Sequence, residues 1–583
     1  MTAGISARRR AERALAKVDL DRFARPALVV AVLASGLLLL HLSRDSSFWA
    51  DDWTWIATRR GNSVDTFLSP YNGHLSLVPI AIYRLMFAAF GLGSYTPYRA
   101  LVIALSLVVA VLLFVYARAR VGDLIALLLT ASLLFLGPGW QETMWAFQIP
   151  WLLVAGAGIS ALMLLERRDT LGDVAACALI VLAICSTSLA VAFLVGVAVD
   201  IAVSRRRWRD VWIVAVPLIL YLIWVLHYHP SQVDLGRVTD VPLNVVKSAA
   251  AALSDVTGLS GVSPAAETGS SFTYGAPLLA LAAALVVWRP VRSRFGARAI
   301  SLVVTLVVFT ASVTVAHGGL AGVLSSRYVY VYALLALLLA AELARGCRPS
   351  LAVQVALCAV TALAILSNIG ILRGFGGYIR QSGEQTNGAL AALDFDRRSV
   401  AGDTLARVAL YPLLKLSARS YFAASDALGT PAYTAAQLLR ADSSAQSAAD
   451  AQFSADETVV LRATTAVAAA SGGPEAIQGS SSGSVARAGA CIRFVPSAAI
   501  AAGTIGTVVV GVMPGPAAVS VTAAAAPATV SFRRFAATFT ALGTVRPGRT
   551  GVVLIRRDAA TEPWELQLQT LAPIRICALR RLH

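Results

Sequence analysis

The chain has 583 residues, 57% of them hydrophobic and 14% charged, and its mean hydropathy is +0.70. Soluble globular proteins carry roughly 25% charged residues, so this composition excludes an ordinary soluble enzyme. The net charge of +17 does not indicate nucleic acid, because the arginines form no stripe or motif and sit in short connections between apolar runs.

Arg8, Arg9, Arg10 and Arg13 precede an apolar run from Ala27 to Leu40. No small-residue cleavage site follows, so the run reads as an uncleaved first span. A bilayer core takes about 20 apolar helical residues to cross. Runs near that length predict spans at 26–42, 98–116, 121–137, 149–165, 173–187, 189–203, 211–228, 272–288, 300–316, 328–344 and 351–372. With residues 1–25 as a cytoplasmic basic N-terminus, alternation puts Ala117 to Arg120, Glu166 to Asp169, Ser204 to Asp210, Arg289 to Arg298 and Arg345 to Arg348 on the cytoplasmic side. All five are arginine-rich, and the external connections are not, as the positive-inside rule requires. Leu77 to Phe90 is short and contains Arg84. Counting it as a span would reverse every later loop, so it reads as a helix at the membrane surface within an external loop over 43–97.

Residues 373–583 are then expected outside the membrane. Residues 373–455 read as a helical linker region. Residues 456–583 hold short β-branched runs separated by turn residues, among them Thr507 to Val512, Gly551 to Ile555 and Trp564 to Leu568. That pattern predicts a β-sandwich. The expected fold class is therefore an α-helical polytopic membrane domain of about eleven transmembrane helices plus a C-terminal extracytoplasmic domain with helices and a β-sandwich. Cys177, Cys185, Cys347 and Cys358 lie in or beside spans. Cys491 and Cys577 lie in two strand-like runs, and an oxidising compartment would favour a disulfide between them.

The polar residues that could carry chemistry sit in the external connections. Phe48-Trp49-Ala50-Asp51-Asp52-Trp53 places two carboxylates between tryptophans just beyond the first span. It is either an interfacial loop with anchored indoles or a general base or metal-assisted site at the membrane surface. Adjacent residues of an extended segment point to opposite sides, so one of Asp51 and Asp52 would face a substrate. His74 shares that loop. Glu142, in Gly139-Trp140-Gln141-Glu142-Thr143-Met144-Trp145, is either a solvated loop acid or a third carboxylate on the same cavity. Arg327, in Ser325-Ser326-Arg327-Tyr328, is either a snorkelling anchor or a guanidinium that grips a lipid phosphate. His317 is its weaker neighbour.

Over residues 26–372 this arrangement resembles the GT-C type of glycosyltransferase: the acidic "ADDW" after the first span, the surface helix, an acid in the second external loop and "SRY" near a late span. The resemblance implies an integral membrane enzyme using a polyprenyl-phosphate-linked sugar donor and a glycan or lipid acceptor in the cell envelope. It implies Asp51 or Asp52 as catalytic base or beside a metal, Glu142 as auxiliary acid, and Arg327 with Tyr328 at the donor phosphate. Trp53, His74 and His317 would then border the substrate. A divalent metal, Mg or Mn, is the one cofactor admitted. Two other classes compete. A transporter or flippase would place polar or helix-breaking positions at mid-membrane, whereas most central spans here are Ala, Leu and Val. A non-enzymatic protein binding an envelope polymer would leave "ADDW", Glu142 and Arg327 without a common purpose.

Overall fold

The computed structural model describes residues 21–204, 208–230, 233–262, 272–287, 295–317, 322–408, 414–464, 470–472, 476–497 and 505–579. They form two compact units. The first comprises the described residues to Arg44 with 59–89 and 96–378, and the second comprises 45–58, 90–95 and the described residues from Ile379 onward.

The first unit is helical, and among the described residues seven helices are long and apolar enough to cross a membrane, or eight if one bent pair is a single span. They begin with α1 (Asp21–Leu42), which starts ahead of the expected span at 26. The Asp21 carboxylate accepts from the Leu124 N–H at 2.7 Å and so caps a neighbouring helix. Two short helices follow in the chain, α2 (Asp51–Thr58), which belongs to the second unit, and α3 (Val64–Leu68). Then α4 (Leu77–Phe90) falls on the expected surface helix, and α5 (Thr96–Val121) is a full span.

Next, α6 (Asp123–Leu134) bends by 53° into a single 3-10 turn, Gly137–Gly139, and the short α7 (Trp140–Met144). After α8 (Ile149–Leu164) come α9 (Thr170–Ile184) and α10 (Val191–Val203). A break around Ser186 and Thr187 separates the last two, where the sequence divides its 173–203 segment. The series continues with α11 (Trp212–Tyr228), α12 (Val241–Val256), α13 (Gly275–Val287), α14 (Ala297–His317), α15 (Ser326–Leu343) and α16 (Leu351–Phe395).

The sequence reading leaves α12 as loop. Asn244, Lys247, Ser248, Ser254 and Asp255 depress its hydropathy, yet its Ala250, Ala251 and Ala252 are buried. The last helix also outruns its expected end at 372; residues to Tyr378 belong to the first unit and the remainder to the second.

Several charges inside the first unit are paired, which offsets the cost of low-dielectric surroundings. Arg120 bonds Glu342 at 2.6 Å and also pairs with Glu166. Tyr116 donates to the same Glu342, which Arg345 joins at 2.9 Å. Arg298 pairs with Asp200 at 3.4 Å. This network ties α5, α10, α14 and α15 together through the arginine-rich connections.

In the second unit, α17 (Ala418–Leu428), α18 (Ala435–Leu438) and α19 (Ser443–Ala455) precede the strands. These are β1 (Val459–Thr464), β2 (Ala470–Gly472), β3 (Ala476–Ser481), β4 (Gly483–Ala488), β5 (Cys491–Pro496) and β6 (Gly506–Val512). They continue with β7 (Ala517–Ala523), β8 (Ala528–Arg533), β9 (Thr540–Val545), β10 (Thr550–Ile555), β11 (Trp564–Thr570) and β12 (Ile574–Leu579). Seven form one sheet, in the order β1-β10-β7-β12-β5-β4 with β2 also on β12; the other five run β3-β6-β11-β8-β9.

Every pairing is antiparallel. Alternate residues such as Val519, Val521, Phe532, Trp564 and Leu566 fill one core, which also takes in Ala391, Ala445 and Phe453 from the helices. Ala391, Ala392, Leu438, Ala445, Ala449 and Phe453, from the segment expected as a helical linker region, thus line the sandwich core. Asp450 fastens this helical layer by accepting from the N–H groups of Arg534, Phe535 and Ala536 at 2.9, 3.2 and 3.1 Å. Cys491 and Cys577 are paired across β5 and β12 and form a disulfide.

Candidate active site

The segment from Gly137 to Gln148 is drawn into the first unit, although its sequence reads as an external loop. Asn368 holds its start, accepting from the Gly137 N–H at 2.9 Å while its own amide donates to the Asp255 carbonyl at 3.0 Å. A Cβ on residue 137 would lie 2.6 Å from the Asn368 carbonyl oxygen, so this approach requires glycine. Ser326, at the start of α15, donates to the Pro138 carbonyl at 2.5 Å and accepts from the Gln141 N–H at 3.1 Å. Trp140 stacks on Phe375 at 4.6 Å.

This fixed turn carries Glu142 into full burial. Neither of its carboxylate oxygens has a hydrogen-bond partner among the described residues. The amide oxygen and nitrogen of Gln148, also fully buried, lack partners there too. A buried polar group left unbonded costs roughly 1–3 kcal/mol by mutational measure, and a charged one more. A folded chain keeps such a group where something else completes it.

Arg327 is the cation that acts on Glu142. It is half-buried, its Nε has no partner among the described residues, and its guanidinium lies 5.2 Å from the Tyr328 ring centre. Tyr330 is buried against Gly139 and lies within the field of Glu142. Trp151 receives the edges of two predicted residues, Tyr328 at 5.6 Å and His74 at 6.2 Å. His74 ends a tight turn in which Asn72 and Gly73 have φ of 47° and 74°, closed by Tyr71–His74 backbone bonds of 2.8 and 3.1 Å. Ser188 secures that turn from α10's approach, accepting from the Leu75 N–H at 3.2 Å. Within the first unit His74 and Tyr328 thus meet on the Trp151 ring, Arg327 lies over Tyr328, and Glu142 is within the field of Arg327. The side chain of His317 lies outside the described residues.

Asp51, Asp52 and Trp53 belong to the second unit. They do not form an extended segment: they open α2, so neighbouring side chains diverge by about 100° rather than 180°. Asp52 is fully buried and accepts from the Trp49 N–H at 3.0 Å and the Tyr95 hydroxyl at 3.4 Å. It works as an internal cap. Trp53 is also buried: its indole N–H donates to the Phe48 carbonyl at 2.9 Å and its ring meets Tyr421 edge-on at 6.1 Å. The expectation that Trp53 touches substrate is corrected accordingly, because no face of the ring is left for one. Asp51 is half-buried and is the more accessible of the two acids.

A divalent metal needs several oxygen ligands at short range. Among the described residues no group of three His, Cys, Asp or Glu side chains could hold one, and Asp52 is committed to its own helix start. Among the described residues these acids do not come together as a metal site.

The sequence reading misses Gln148, Tyr330, Ser326 and Asn368. The alternation Tyr328, Tyr330 and Tyr332 in an otherwise aliphatic span was the available signal for the second.

No family model matches this sequence, and no curated protein matches it. Two solved structures are similar to the chain. The crystal structure of ArnT from Cupriavidus metallidurans in the apo state covers 70% of this chain and 85% of that one, at 16% identity and a TM-score of 0.41. The cryo-EM structure of the arabinosyltransferase EmbB from Mycobacterium smegmatis covers 95% of this chain at 10% identity and a TM-score of 0.36. This chain spans 64% of that protein's length. The likeness is one of layout, and no activity is read from it.

Proposed function

We propose that this multi-pass membrane protein is a glycosyltransferase, moving a hexosyl or pentosyl unit from a polyprenyl-phosphate donor to a glycan or lipid acceptor of the cell envelope. One observation supports this above all: a buried, unpartnered carboxylate, Glu142, stands under the influence of a half-buried arginine with an unused donor edge, inside a membrane unit. An amphiphilic ligand with sugar hydroxyls and a phosphate supplies both missing partners. The hydroxyls donate to Glu142 and Gln148, and the phosphate accepts from Arg327 in the bidentate geometry that guanidinium favours. Tyr328 and Trp151 flank the anomeric region.

In the reaction the acceptor oxygen attacks the anomeric carbon and the carbon–oxygen bond to phosphate breaks. The bonding pair leaves on the phosphate, where Arg327 stabilises the growing charge. The acceptor's proton passes to water as the new bond forms. By the arginine distribution, the N-terminus is cytoplasmic and the second unit lies outside. The direct test is incubation of the purified protein with radiolabelled polyprenyl-phosphate sugars and envelope extract. Label should pass to an acceptor and free polyprenyl phosphate should appear. No transfer from any donor in such a panel, with folded protein, would defeat the proposal.

A further inference from the structure

The outer face of the seven-stranded sheet carries positive charge that the described residues do not neutralise. Ile492, Phe494, Ile574 and Ile576 turn into the core. Strand side chains alternate, so Arg493 and Arg575 stand on the opposite face. They are direct cross-strand partners and both are exposed. Like charges placed directly opposite are destabilising, and here the disulfide between Cys491 and Cys577, two positions along the same strands, locks that register. Other arginines of this unit find carboxylates, as Arg462 does with Glu457, Arg533 with Glu565 and Arg534 with Asp558. Among the described residues no ion pair involves Arg493 or Arg575.

The register extends the pair into a track. Arg575 lies opposite Thr522, Thr522 opposite Thr550, and Thr550 opposite Thr464. Five successive strands, at about 4.8 Å spacing, give a polar row of about 19 Å. The turn between β9 and β10 adds exposed Arg546 and Arg549, and it is bonded to Ala523, next to Thr522 at the middle of the row. From Val459 to Ile555 the sequence holds seven arginines and a single acid, Glu475.

A lone anion would occupy one arginine pair and leave the hydroxyls unused. A bilayer surface would call for large apolar side chains to enter it, and the row has none. We propose that this face docks an acidic polysaccharide, with carboxylate or phosphate groups bridging Arg493 and Arg575 and sugar hydroxyls meeting the threonines. The proposal is independent of the transferase reading.

The test uses the full chain in nanodiscs of zwitterionic lipid, titrated at low salt with polygalacturonate oligomers, neutral dextran or inorganic phosphate. Polygalacturonate should bind more tightly than either control. The R493Q/R575Q double variant should lose about tenfold or more in affinity, since it removes the charge-assisted bonds of both arginines. R493K/R575K should recover part of it, and peptide mapping should find the Cys491–Cys577 bond intact in both. Arg487, on the edge strand β4, is register-paired with core-facing Ile492, and R487Q, with the same loss of charge, should bind as the parent does. Equal binding by the double variant and the parent, equal loss in R487Q, or dextran binding as tightly would overturn the proposal. So would flotation with phosphatidylglycerol vesicles without polygalacturonate binding, which would make the surface a lipid contact.

Discussion

Asp456 ends α19, where both burial and the negative end of a helix disfavour a carboxylate. Burial, reinforced by nearby Asp396, raises its pKa to about 7, against the opposing pull of Gln452, Arg407 and Arg556. Gln452 donates to one oxygen at 2.6 Å, and the other is buried with no partner among the described residues. In the unfolded chain the group titrates near its ordinary 3.8. The folded state therefore binds the proton more tightly, so stability falls as pH rises from about 4 to about 7 and stays reduced above. Some three pKa units set a ceiling on the order of 4 kcal/mol, and an Asn amide in the same place gives up roughly 1 kcal/mol for its own unbonded nitrogen. Asp456→Asn should accordingly stabilise the second unit by about 1–3 kcal/mol at pH 8 and by little at pH 4. Amide hydrogen exchange of β10 and β11 in the full-length protein, corrected for intrinsic rates, reads this directly. Equal or lower protection in the variant at pH 8, with the parent's pH dependence intact, would refute the reasoning.

Asp450→Ala strands three buried backbone donors and should cost about 3–5 kcal/mol in denaturant unfolding of the same unit; a loss below about 1 kcal/mol would show the helical layer is held otherwise. Cys577→Ser opens a loop of 86 residues and should cost about 2–4 kcal/mol. Free thiols at both positions in protein from its native compartment would remove that expectation. Asp52→Asn should loosen α2, seen as faster exchange of its amides; unchanged exchange would show that Asp52 does not hold the helix start.

Hydropathy and arginine placement made the helical unit legible, because a bilayer imposes length and sign on every crossing. Leu77–Phe90 was expected as a surface helix because it is short, holds Arg84 and would as a span reverse every later loop; helix α4 occupies those residues. Helix α12 was illegible because its polar face, with Ser248 and Asp255, is buried against neighbouring helices, and a hydropathy window averages over faces. Glu142 and Arg327 were legible as candidates, but not the burial of the whole Gly137–Gln148 turn. That burial depends on Asn368 and Ser326, some 190 to 230 positions away in sequence. Asp51 and Asp52 looked equivalent in sequence; one left-handed residue, Ala50 at φ 48°, starts a helix there and sends Asp52 inward.

Whether a phosphate-linked sugar completes Glu142 and Arg327 is read from equilibrium binding of a radiolabelled polyprenyl-phosphate sugar to the purified chain, compared across Arg327→Ala, Arg327→Lys and Glu142→Gln. The alanine variant should lose binding severely, lysine should restore part of it because it lacks the bidentate fork, and Glu142→Gln should weaken sugar binding while keeping affinity for bare polyprenyl phosphate. Donor affinity in Arg327→Ala equal to that of the parent would contradict that expectation.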